Sequence, residues 1–181
     1  MVRILSVAFI FLIIYSIRLN YPSHPYFDET RVVPEASTIS HLSHYHGSSH
    51  PILGKSIIAF SIHFFGDNPW AWRLPSLIFA SGATALCAYL AFILTENVTL
   101  FWLVSFLLAT DGLWITEARI GLYNSMTLFF ILSTLVFWWQ GHKNVSKRYI
   151  YWIAAAFCFG LSLAVKWRAF PLKTTIDKAL L

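Results

Sequence analysis

LPSLIFASGATALCAYLAFIL, Leu74 to Leu94, runs without one charged residue. A helix needs about 20 apolar residues to cross the hydrocarbon core of a bilayer, so this stretch reads as a membrane span. The pattern repeats on both sides. Val98 to Ile115, Leu122 to Trp139 and Ile150 to Val165 are further apolar segments. Ile4 to Ile17 is shorter, but Arg3 and Arg18 flank it and their long side chains can reach the interface. Trp138-Trp139 and Tyr149, Tyr151 and Trp152 stand at segment ends, where aromatic belts form. A secretory signal is the rival reading of the first segment, but Arg18-Leu19-Asn20-Tyr21-Pro22 offers no small-residue cleavage site.

Composition points the same way. Of the 181 residues, 57% are hydrophobic, 18% aromatic and only 12% charged, whereas a soluble domain carries about 25% charged residues. The mean hydropathy is +0.63. These values exclude an ordinary soluble domain. The net charge of +5 is scattered, with no basic run longer than two residues. Nucleic acid is therefore not an expected partner; membrane lipid or lipid phosphate is. Cys87 and Cys158 lie inside apolar segments and act there as small apolar side chains.

The expected fold is all-α, a polytopic membrane helical bundle with interfacial helices in its first outer loop. Spans are expected at about 4–18, 74–94, 98–115, 122–139 and 150–166, with the loop at 19–73. Residues 1–170 would form one membrane domain and 171–181 a polar tail. Within the loop, Val32, Val33, Ala36, Ile39 and Leu42 give Asp28 to Ser43 partial helical spacing. Ile52 to Phe65 is apolar, carries Lys55 and His63, and is too short to span, so it is expected to lie at the membrane surface. Lys143, Lys147 and Arg148 favour a cytoplasmic loop at 140–148. That choice leaves Arg18, Arg31, Lys55, Arg73, Arg119, Lys166 and Arg168 outside, against a raw charge count. Several of them would stay there to hold phosphate.

The chemistry concentrates between Tyr26 and Lys55. Asp28 and Glu29 are adjacent carboxylates beside a bilayer, costly unless solvated or paired. They can simply favour a helix dipole at its start, or one can take a proton from an acceptor hydroxyl as a general base. A lipid-phosphate leaving group needs cations, and Lys55, Arg119, Lys166 and Arg168 each lie near the outer end of an apolar segment. His41, His44, His46 and His50 form a competing constellation, since imidazoles bind zinc. No cysteine or carboxylate completes that set. Asp111 and Glu117 lie just before Arg119, either as a polar loop or as part of the same cavity. The sequons at Asn97 and Asn144 are expected to face the cytoplasm.

Phe27-Asp28-Glu29, His50-Pro51-Ile52-Leu53-Gly54-Lys55, Glu117-Ala118-Arg119 and Val165-Lys166-Trp167 follow in that order. Together they resemble the protein O-mannosyltransferase family, and the lipid A aminoarabinose transferases of the same superfamily. The resemblance covers residues 1 to about 170 and implies the amino-terminal half of a GT-C membrane fold. It implies a dolichyl- or undecaprenyl-phosphate sugar donor, a protein hydroxyl or glycan as acceptor, and inversion at the anomeric carbon. No metal or other cofactor is implied. The setting would be the endoplasmic reticulum or a bacterial inner membrane, with the active face non-cytoplasmic. Asp28 would be the catalytic carboxylate and Glu29 would support acceptor or donor contacts. Lys55 and Arg119, with Lys166 and Arg168, would lie near the donor phosphate. His50, Pro51, Gly54, Asp111 and Asn124 would support the loops.

Two departures from the family pattern matter. Ile52 replaces a proline, and Asn124 stands where an aspartate is usual, so a role needing charge there is lost. Relatives also have more spans, and the stretch from Pro171 to Lys178 is polar. The expectation is a truncated or split copy, with a second polypeptide supplying missing helices. Two other readings compete: a non-catalytic scaffold or subunit, and a histidine-rich metal handler.

Overall fold

A computed structural model describes residues 2–41 and 50–166. Among the described residues there is no strand. The helices are α1 Val2–Ser16, α2 Glu29–Ser40, α3 Ile52–Phe65, α4 Pro69–Thr95, α5 Val98–Thr110, α6 Gly112–Arg119, α7 Asn124–Lys143 and α8 Arg148–Val165, with a short 3-10 turn at Val145–Lys147. The fold is the all-α membrane bundle that the apolar segments predict.

The centre is α4. Asn68 caps it by accepting a hydrogen bond from the Ala71 amide at 3.1 Å, and Pro69 opens the first turn, where its missing N–H costs nothing. Beyond Leu77 its buried residues are all small: Ala80, Ser81, Ala83, Thr84, Ala85 and Ala88. Small residues allow close packing, and α1, α3, α5, α6 and α7 all lie against this helix. One core cluster joins α1, α4 and α5 through Val7, Phe11, Tyr15, Leu77 and Phe101. The other joins α2, α3 and the start of α7 through Val32, Val33, Ile58, Ile62, Tyr123 and Met126, with Val165 of α8.

Two expectations change. The segment 98–115 is not one straight helix, because α5 and α6 meet at a 71° bend. Asp111 leaves the helical conformation at φ −76 and ψ 110, and its Oδ1 accepts from the Trp114 amide at 2.6 Å. A short carboxylate inside an apolar run competes with the helix ladder for backbone N–H groups. By length and composition, α4 and the stretch Val145–Val165 qualify as spans among the described residues, with the bent α5–α6 pair as a third. α1 has 15 residues, and α7 has 20 but polar ends. In addition α4 begins at Pro69, so Pro69 to Arg73 belongs to this helix and not to the outer loop.

The 27 residues of α4 separate its ends by about 40 Å. Its amino-terminal end meets α2, α3 and the α6–α7 connection. Its carboxyl-terminal end meets the end of α7 through Trp139 Nε1 donating to the Ile93 carbonyl at 3.1 Å and Gln140 donating to the Tyr89 hydroxyl at 2.9 Å. Both sequon asparagines lie at that end as helix caps: Asn97 accepts from the Thr99 amide and Asn144 from the Lys147 amide.

Candidate functional site

The site is built on a buried ion pair. Arg73 of α4 and Glu29 of α2 are both fully buried. The guanidinium donates from Nε to Glu29 Oε1 and from Nη2 to Oε2, each at 2.8 Å. Arg73 Nη1 also donates to the carbonyls of Leu19 and Pro22, both at 2.9 Å. Glu29 accepts further hydrogen bonds from the amides of Gly121 and Tyr26. Such a bidentate, charge-assisted fork is the strong form of the interaction. It fixes the first loop, α4 and the α6–α7 connection to one another. A side chain at Gly121 would press on both Glu29 Oε1 and the Trp72 carbonyl at 3.1 Å, so a Cβ there needs these neighbours to give by a few tenths of an ångström. Burial, with the Glu29 charge second, raises the pKa of the Tyr26 phenol beside this pair.

Glu29 faces inward, so its neighbour Asp28 faces out. Asp28 is exposed, and its carboxylate makes no cap bond and no hydrogen bond or ion pair with a described residue. Asp28, Arg31, Val32 and Glu35 follow the helical i, i+3, i+4, i+7 spacing and line one cavity of about 80 Å³. The opposite wall is His50, Leu122, Tyr123, Asn124 and Lys166. Four expected residues, Asp28, His50, Asn124 and Lys166, therefore share one opening. Arg31 and Glu35 join them.

The charges of the cavity are not all equivalent. Lys55 Nζ lies 2.5 Å from Glu35 Oε2, and Lys55 is 1% exposed. That pair cancels, leaving Arg31 and Lys166 as the cations on the wall. The Arg31 guanidinium makes no hydrogen bond or ion pair with a described residue. Lys166 Nζ donates to Asn124 Oδ1 at 2.6 Å, and the Asn124 amide donates to Glu117 Oε2 at 2.8 Å. An amide can do both, whereas an aspartate at 124 would set two carboxylates against each other. Burial raises the pKa of the Tyr123 phenol, with Lys55 opposing, so the ring stays a neutral donor. His50 meets that ring edge-on at 5.3 Å between centroids. A Cβ on Gly54 would come within 2.7 Å of Tyr123 Cβ. The glycine thus lets α3 approach this wall. Pro51 caps the amino terminus of α3.

Other expected residues lie elsewhere. Arg119 Nη2 donates to the carbonyls of Ile17 at 2.6 Å and Arg18 at 3.2 Å, closing the carboxyl end of α1. It borders a separate recess with Tyr21 and Tyr26. Asp111 caps α6 and lines an apolar groove with Trp114, Leu128 and Leu132. Arg168, His44 and His46 lie outside the described residues. Among the described residues no group of three His, Cys, Asp or Glu side chains could hold a metal. Sequence reasoning did not place Arg31 and Glu35 in the site, and it named Arg31 and Arg73 only among the outer cations. The helical spacing of the first two from Asp28 was the available signal.

A profile of the family described as "Dolichyl-phosphate-mannose-protein mannosyltransferase" matches residues 61–174. The matched stretch takes in Arg73, Glu117, Arg119, Asn124 and Lys166 and begins after Asp28 and Lys55. The chain is similar to "Dolichyl-phosphate-mannose--protein mannosyltransferase 2" of Candida albicans, at 27% identity over 148 residues. That alignment covers 72% of the chain and 19% of the relative, so the chain spans about a fifth of the relative's length. No solved structure matches.

Proposed function

The chain belongs to the dolichyl-phosphate-mannose-protein mannosyltransferase family, and on that premise we propose that its Asp28 cavity is where mannose leaves a polyprenyl-phosphate carrier for a protein hydroxyl. The observation that carries this is the shared wall: an unpartnered carboxylate and two cations, Arg31 and Lys166, line one cavity. Asp28 takes the proton from the acceptor hydroxyl as its oxygen attacks the anomeric carbon. The bond from that carbon to the phosphate oxygen breaks on the opposite face, with inversion. The polyprenyl phosphate departs carrying the electron pair, and Arg31 and Lys166 stabilise its charge. Glu29 does not touch the reactants. Its ion pair with Arg73 holds Asp28 in place.

The test is a titration of polyprenyl phosphate against the purified chain in nanodiscs. Saturable binding is expected. Arg31→Met and Lys166→Met should each weaken it about tenfold, the value of one charge-assisted hydrogen bond. Arg119→Met should leave it unchanged, because that cation closes α1. Equal affinity in the Arg31 and Lys166 variants and the wild type would remove the phosphate from this cavity.

A further inference from the structure

At the end of α4 farthest from Asp28, Phe92, Ile93, Glu96, Trp139, Gln140 and Lys143 line a cleft of about 300 Å³. Its walls are already tied. Trp139 donates to the Ile93 carbonyl and Gln140 to the Tyr89 hydroxyl, so α4 and α7 cannot close over it. Its mouth carries one charge of each sign: Lys143 Nζ lies 2.8 Å from Glu96 Oε1 and 5.8 Å from the Trp139 ring centroid. Glu96 occupies the left-handed conformation at φ 55, at the residue ending α4. Glycine or asparagine normally fills that position. A charged, non-glycine residue kept in a strained conformation marks a place where the side chain matters. The tryptophan pair at 138–139 sets the cleft at the depth of lipid headgroups.

We propose that this cleft holds one membrane phospholipid with a phosphoethanolamine headgroup. The lipid phosphate lies on the Lys143 ammonium and the lipid ammonium on the Glu96 carboxylate. The upper acyl methylenes lie against Phe92 and Ile93. Charge complementarity selects this headgroup. A phosphatidylglycerol phosphate could lie on Lys143 equally well but would offer Glu96 only neutral hydroxyls, whereas a zwitterion laid antiparallel to the Lys143–Glu96 pair satisfies both charges. The primary ammonium also brings the N–H donors that a carboxylate accepts.

The chain is reconstituted in nanodiscs holding equal phosphatidylethanolamine and phosphatidylglycerol, and the lipid retained on release is identified by native mass spectrometry. Wild type is expected to keep the ethanolamine lipid over the glycerol lipid about fivefold, the scale of one exposed ion pair. Glu96→Gly relieves the backbone and should melt no lower than wild type while losing the preference. Lys143→Met should reduce retention of both lipids. Equal retention by wild type, a preference for phosphatidylglycerol, or an unchanged preference in Glu96→Gly would overturn the proposal.

Discussion

Asp28→Asn is expected to slow transfer of mannose to a serine- or threonine-containing peptide by roughly 10²–10⁴-fold, the range for loss of a general base. The substitution is nearly isosteric. The carboxylate it removes caps no helix and bonds no described residue, so the fold loses nothing with it. The melting temperature and membrane insertion of the variant should match wild type, as should its binding of polyprenyl phosphate, which rests on Arg31 and Lys166. This combination separates a chemical role from a structural one. Single-turnover transfer from a polyprenyl-phosphate mannose donor is the measurement. Transfer at the wild-type rate by the asparagine variant would show that another group takes the proton. Loss of stability alongside activity would make Asp28 a structural residue.

The apolar run from Leu74 to Leu94 could be read directly as the core helix, because burial in lipid needs only local composition. The loop helices could be read as well, since Val32, Val33 and Ala36 repeat at helical spacing and all three are buried. Asp28 and Glu29 were visible as a pair, but their opposite fates were not. Which neighbour turns inward depends on Arg73, 44 residues from Glu29 along the chain, and on the Gly121 amide, 92 residues away. No local pattern encodes that. Arg119 misleads for a similar reason: a cation beside an apolar segment reads as a phosphate ligand, yet the carboxyl end of α1 presents carbonyls needing a donor. The break at Asp111 was legible in principle, because a single acid in an apolar run seldom continues a helix without cost.

The second large effect lies in the Glu29–Arg73 pair. Both groups are withdrawn from water, and their mutual attraction offsets that cost only while both are present. Removing one leaves the other charged and unpaired in the interior. Glu29→Gln and Arg73→Met are each expected to destabilise the chain by about 3–5 kcal/mol, read as a shift in chemical unfolding in micelles. Glu29→Gln is the sharper test, because glutamine keeps the shape and one acceptor for the Gly121 amide and Arg73 Nε, while it loses the charge and turns an NH2 donor toward Arg73 Nη2 and the Tyr26 amide. In the double variant neither charge is stranded, so its cost should fall well below the sum of the singles. The coupling should reach about 2 kcal/mol, within the range for groups in one network. It will not vanish the whole cost, because Arg73 also holds the Leu19 and Pro22 carbonyls. Additive losses would mean that the two side chains contribute separately and that the pair does not organise the loop. If the coupling holds, the singles should also lose polyprenyl-phosphate binding, since Gly121 leads directly into Leu122, Tyr123 and Asn124 on the cavity wall. Asp28→Asn leaves that wall intact, so the two substitutions at adjacent positions should fail in different ways: one in chemistry alone, the other in the cavity that permits it.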